Sequence, residues 1–136
     1  MELELYEALK LLDTDDRPCP VVPVAPDSDD DQPSGKVHRP ALLYRRRSSS
    51  PEHDLTGART HELIDCEIEV HGNTFQESCT IADEVISLLD GNTLAMSGDD
   101  ITFNEHAGYE FGLNNRYVNQ ENVVNIHLWF NVFHIV

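Results

Sequence analysis

The chain has 136 residues, 25 of them acidic against 9 basic, and a formal net charge of −16. No apolar run approaches the ~18 residues of a membrane-crossing helix and no basic-then-apolar leader opens the chain, so a cytoplasmic and nuclear protein without membrane contact is expected. The acid excess argues against direct nucleic-acid binding, because phosphate contacts need clustered Lys and Arg, and three cysteines do not make a disulfide scaffold.

Composition divides the chain at residue 56. Residues 1–56 hold all seven prolines and carry 12 acidic and 7 basic side chains, net −5; residues 57–136 carry 13 acidic and 2 basic (Arg59 and Arg116), net −11. Met1 to Leu12 places Leu5, Leu9 and Leu12 at helical spacing beside Glu2, Glu4 and Glu7. About ten residues are too few for a stable isolated helix, so this one is expected to form on a partner, the alternative being that it packs on the C-terminal domain. Leu3, Tyr6, Leu9 and Leu11 are its candidate docking side chains, and they also have the spacing of a nuclear export signal. From Asp13 to Thr60 neither helical nor strand periodicity runs. Pro18, Pro20, Pro23 and Pro26 favour extended local structure, so residues 1–56 are expected to be a disordered acidic, proline-rich tail carrying short linear motifs.

Residues 57–136 are expected to form a small acidic α+β domain, one helix packed on an antiparallel sheet. Ile64, Cys66, Ile68 and Val70 alternate with Asp65, Glu67 and Glu69, which is the period of a half-buried strand with an acidic outer face. Gly72-Asn73 is a turn signal. Ile81, Val85, Leu88 and Leu89 predict a helix over about 80–90, capped by Ser78 or Thr80 and closed by Gly91. Leu94, Met96, Ile101 and Phe103 flank Ser97-Gly98-Asp99-Asp100 as a hairpin, and Tyr109, Phe111 and Leu113 suggest a short strand followed by a loop over 112–120. Val124, Ile126, Leu128, Phe130 and Val132 form the apolar face of the last and strongest strand. Left uncovered, that strand would be a sticky edge, so it is expected to sit centrally in the sheet; the alternative is that it pairs with or packs on a second copy of the chain, a homodimer.

Two stretches of the tail resemble known docking motifs. Val21-Val22-Pro23-Val24 followed by Asp27-Ser28-Asp29-Asp30-Asp31 looks like a SUMO-interacting motif, which adds an extended apolar strand to a sheet edge while neighbouring acids meet basic residues. Pro23 departs from that pattern by removing one ladder hydrogen bond. Arg46-Arg47-Ser48-Ser49-Ser50-Pro51 resembles a 14-3-3 docking site, with Arg46 three residues before a phosphorylated Ser49 and Pro51 two after; Ser48 and Ser49 also suit a basophilic kinase. The resemblances imply SUMO-modified proteins and 14-3-3 as protein partners.

No catalytic residue, cofactor or metal is expected. Leu94 to Phe103 resembles the Gly-Asp-Asp turn of viral RNA-dependent RNA polymerases, where paired aspartates hold two metal ions. The basic contacts to template are missing, and Gly and Asp are good turn residues. His61, Cys66, His71 and Cys79 lack the close Cys pair of structural zinc sites. His127 and His134, in an apolar strand with no identifiable carboxylate partner, read as core or interface histidines.

The sequence therefore points to a non-enzymatic regulatory or adaptor protein acting through protein–protein contacts. Several eukaryotic-type motifs in so short a chain resemble the layout of a viral accessory protein that modulates host factors. An alternative is an acidic DNA mimic, since Asp65, Glu67 and Glu69 recur about 6.6 Å apart along a strand, close to the phosphate repeat.

Overall fold

The computed structural model describes residues 1–24, 38–53, 55–57, 59–95, 108–118 and 125–135. In chain order, helix α1 (Glu2–Leu9) runs into a 3-10 turn (Lys10–Leu12), followed by strands β1 (Val21–Pro23), β2 (Ala41–His53) and β3 (Arg59–His71), helix α2 (Phe75–Leu89), and strands β4 (Thr93–Ala95), β5 (Gly108–Val118) and β6 (Asn125–Ile135). The strands form one curled sheet in the order β1-β2-β3-β6-β5-β4, a half-barrel in which β1 runs parallel to β2 and the other neighbours are antiparallel.

Strand parity decides what the sheet buries. Leu42 and Tyr44 of β2, Ile64, Cys66, Ile68 and Val70 of β3, Ile126, Leu128, Phe130 and Val132 of β6, and Tyr109 and Phe111 of β5 share the inner face. Both helices lie on it: α1 contributes Leu5, Ala8 and Leu9, and α2 contributes Ile81, Ala82, Val85 and Leu89. The alternation read in β3 and β6 is present with the expected sides inward.

Helix α2 begins five residues before the expected start. Thr74 accepts a hydrogen bond from the Glu77 backbone N–H (3.1 Å), and the Glu77 carboxylate reaches back to the Asn73 N–H (2.9 Å), a capping box that satisfies two otherwise orphaned donors. The chain approaches this start so closely that a Cβ on Gly72 would fall 2.4 Å from the Ser78 Oγ, so position 72 needs glycine. Asp90 then ties the helix end to β5 by accepting from the Leu113 N–H (3.0 Å).

The α+β expectation, with a disordered N-terminal tail before a one-helix domain, is overturned. The described residues are mostly β and carry two helices, and much of residues 1–24 and 38–53 is built into the same core. β2 pairs with β3 along its whole length, from Ala41 opposite His71 to His53 opposite Arg59. It escaped the periodicity reading because Ala41 to Arg45 are buried on both faces: Leu42 and Tyr44 join the main core, while Ala41 and Leu43 pack with Val24 and Val22 on the outer face. A short run covered on both sides shows no alternation.

Three further points are local, and only the first departs from expectation. β5 continues through Asn114-Asn115, absorbing a register shift between Leu113 and Asn115 where a loop was expected. β6 lies between β3 and β5, so both of its backbone edges are used and it offers no edge to a second copy. The expected Ser97 to Asp100 turn lies outside the described residues.

Among the described residues the edge of β2 away from β3 is paired near its start, by β1 and by the Val24 N–H to the Tyr44 carbonyl (2.9 Å). Beyond Tyr44 that edge carries Arg46, a bulge between Arg46 and Ser48, and Pro51, three devices that blunt edge-to-edge pairing. Because α1 and β2 complete the core, Leu5→Ala and Leu42→Ala are each expected to cost about 2–5 kcal/mol in urea unfolding of the full chain. A fragment spanning 57–136 should show no cooperative transition, and a sharp one would contradict this architecture.

Candidate functional site

The outer face of the sheet holds a buried charge network. Glu67 and Glu69 leave β3 on the same side, two positions apart, and their side chains are only 4% and 2% exposed. Arg45 of β2, equally buried, places its guanidinium 3.7 Å from Glu67 and 3.5 Å from Glu69. From β6, His127 directs Nδ1 between the two carboxylates, 3.1 Å from Glu67 and 3.2 Å from Glu69. Arg47 donates to the Glu67 Oε2 (2.7 Å) and lies over the Trp129 ring, and His71 Nε2 donates to Glu69 (3.2 Å). At the end of the network Arg39 donates to the Asn125 side chain (3.0 Å) and the Gly72 carbonyl (2.8 Å).

Burial alone would push these carboxyls toward the neutral form. For Glu67 the hydrogen bonds from His127 and Arg47 outweigh burial, and for Glu69 those from His127 and His71, with the His127 and Arg45 charges, do the same; both are held below the ordinary carboxylate range. The same contacts outweigh the burial of His127 and raise it to about 9, so the imidazole carries its proton at neutral pH.

Glu67, Glu69 and His127 offer donor atoms within 4.8 Å of one another, the reach of a metal site. Electrostatics disfavours a metal there. A divalent ion would have to displace the His127 proton and approach two guanidiniums that already neutralise the carboxylates. The His61, Cys66, His71 and Cys79 set is not brought together, since Cys66 faces the inner core while His71 faces this outer network.

The carboxylate partners of the histidines were missed in the sequence. His134, on the inner side, likewise has Nδ1 3.4 Å from Glu62 and its ring stacked on Tyr109. The signal that could have found the His127 site is the matched parity of Arg45, Glu67, Glu69 and His127 on three adjacent strands, which requires β2 and the sheet order to be known. Of the acidic row, Asp65 alone is exposed, and it accepts from the Ser48 hydroxyl (2.8 Å). Glu67 and Glu69 face arginine and histidine inside.

The candidate motif residues of the N-terminal half are mostly strand and helix residues. Val21 and Val22 form β1, and Val24 is buried against Ala41 and Leu43; Asp27, Ser28, Asp29, Asp30 and Asp31 lie outside the described residues. Arg46, Ser48, Ser49 and Pro51 belong to β2, and Arg46 is bonded to Glu2 (2.7 Å). Of the helix positions, Leu9 is in the core, Tyr6 packs against it, and Leu3 and Leu11 are exposed.

Two surfaces stand open. On the outer face beyond the charge network, Leu63 and Phe133 are paired across β3 and β6, with His61 stacked on the Phe133 ring, beside exposed Asp65 and Asn131. On the other side of the molecule a groove runs between the 3-10 turn and α2, lined by Leu12, Thr80, Asp83, Glu84, Ser87 and Leu88.

The His127 shift fixes a stability profile. Its folded pKa, about 9, lies above the ordinary value of 6.5, so its contribution is complete below about pH 6.5 and is lost as the pH rises through about 9. His127→Gln is expected to lower stability by about 2 kcal/mol at pH 7 and to remove this part of the decline between pH 7 and 10. Urea unfolding of both proteins across that range is the measurement; an unchanged difference between them at every pH would contradict the network. No protein-family model matches the chain, and no curated protein matches it.

Proposed function

We propose that the chain is a non-enzymatic interaction protein that docks a basic surface of a protein partner. The observation that carries this reading is where the positive charge goes. Arg45 and Arg47 are committed to Glu67 and Glu69, Arg46 to Glu2, Arg17 to Glu84, Arg116 to Asp83, and Arg39 to Asn125 and the Gly72 carbonyl. Six of the nine basic residues are thereby tied to groups of the chain itself. The acid surplus is left to the exterior, where Asp15, Asp16, Asp65 and Glu110 are exposed, as are the apolar side chains of Leu3, Leu11, Leu63 and Phe133.

A surface of this kind steers cationic partners and repels nucleic acid. The imidazole–carboxylate cluster, the arrangement that in another setting would serve acid–base chemistry, is taken up by its own arginines and lies beneath the surface. The DNA-mimic alternative keeps its support in the acid excess but loses the carboxylate row, because Glu67 and Glu69 point into the charge network. The SUMO-like and 14-3-3-like stretches would have to leave their strand pairings to dock as extended peptides, so the reading places the partner contact on the acidic surface.

The test is affinity capture on the immobilised full chain from a cell extract, eluted by stepwise salt. The expected result is a captured set dominated by basic proteins that elutes between roughly 0.15 and 0.5 M salt, where the Debye length falls from about 8 Å toward 4 Å. Captured proteins with no basic bias, or capture indifferent to salt, would overturn it.

A further inference from the structure

We propose that the groove between the 3-10 turn and α2 takes a basic, leucine-bearing segment of the partner. This rests on the reading that the chain docks a basic protein surface, and it names where and by what chemistry.

The groove has a volume of about 630 Å³, against about 360 and 320 Å³ for the two furrows on the outer face of the sheet. Its wall is one stripe of α2: Thr80, Asp83, Glu84, Ser87 and Leu88 follow the i, i+3, i+4, i+7, i+8 spacing of a single helix face. Leu12 and Leu88 form an apolar floor, each backed by the main core, so both are held in place before anything binds.

The rim is acidic and fixed. Thr14 and Arg17 close a tight turn, with the Thr14 N–H on the Arg17 carbonyl (3.2 Å) and the Arg17 N–H on the Thr14 Oγ1 (3.1 Å). The Arg17 guanidinium bonds Glu84, which clamps this turn against α2 and leaves Asp15 and Asp16 exposed at its tip. Arg116 of β5 pairs with Asp83 at 2.6 Å, although Asp83 stays 68% exposed. Asp15, Asp16, Asp83 and Glu84 thus stand against two guanidiniums. Lys10 lies over the Tyr6 ring, 5.6 Å from its centroid.

This combination selects its occupant. A leucine floor supplies no ligand to a metal ion, and the two carboxylates nearest the floor are already bonded to arginine. A second copy brings a net charge of −16 and is repelled, as is a nucleic acid. A helix or extended segment with one or two leucine-like side chains for the floor and Lys or Arg for Asp15, Asp16 and Asp83 satisfies both halves, the helix-in-groove mode with a charged rim.

The probe is a fluorescently labelled amphipathic peptide of about 14 Leu and Lys residues, measured by anisotropy against the full chain at about 0.15 M salt. Saturable binding is expected, with an all-Lys peptide and a Leu/Glu peptide at least tenfold weaker. Ser87→Trp fills the groove from an exposed position and is expected to weaken binding at least about tenfold. Asp15→Asn with Asp16→Asn should weaken it about three- to tenfold and flatten its salt dependence. Asp65→Asn with Glu110→Gln removes the same charge from the outer face and should leave binding within about twofold. Circular dichroism and urea midpoints confirm that each variant is folded. Equal losses from the two double variants, or unchanged binding by Ser87→Trp, would overturn the groove while leaving the acidic-surface reading intact. No saturable binding by the unmodified chain would also overturn the groove, and the salt-eluted capture then decides the broader reading separately.

Discussion

Two ionised carboxylates, two residues apart on one strand and both taken out of water, have to be neutralised by something the fold itself brings. Glu67 and Glu69 impose that requirement on β3, and the neighbouring strands meet it from both sides, β2 with Arg45 and β6 with His127. An unpaired buried charge costs several kcal/mol, and slipping either neighbour by one residue would turn its cation to the opposite face. The network therefore sets register as well as charge across the middle of the sheet. It also makes the first half of the chain indispensable: without β2, the pair on β3 would lack its buried guanidinium.

Legibility in the sequence followed the same physics. β3 and β6 could be read from alternation because each has a wholly apolar inner row, Ile64 to Val70 and Ile126 to Val132. Helix α2 could be read from Ile81, Val85 and Leu89, but its first turn puts Phe75 outward and is marked by the hydrogen bonds of Thr74 and Glu77, which a search for inward apolar spacing passes over. β2 and α1 were read as tail because their signals depend on tertiary context. Arg45, Arg46 and Arg47 look like a solvated basic run until the acids of β3 and α1 are placed beside them, and α1 has too few residues to be a helix without the core it covers. The candidate site was hidden for the same reason. Alternation places Glu67 and Glu69 on the outer face, and the outer face of an antiparallel strand usually meets water, whereas here that part of it is closed.

Taking cations inward has an outward effect. Each arginine tied to a carboxylate removes one negative charge from the surface together with the positive one, so the exterior keeps the whole imbalance of the composition while losing most of its guanidinium donors. Ion pairs at the rim, Arg17 with Glu84 and Arg116 with Asp83, act as clamps that hold the 3-10 segment and β5 against α2. Their individual contributions are small because they remain partly exposed. What they provide is geometry, since they fix the walls of the groove and the turn that carries Asp15 and Asp16.

The strand order has a consequence for how the molecule comes into being. β6 is the last strand in chain order and occupies an interior place in the sheet, with β3 on one flank and β5 on the other. Until Asn125 to Ile135 has left the ribosome, both flanks keep an open hydrogen-bonding edge lined with apolar side chains, and the carboxylates of Glu67 and Glu69 wait for their imidazole. Closing the sheet thus joins distant parts of the chain, and long-range pairing of this kind is slow and leaves strand edges open while it is incomplete.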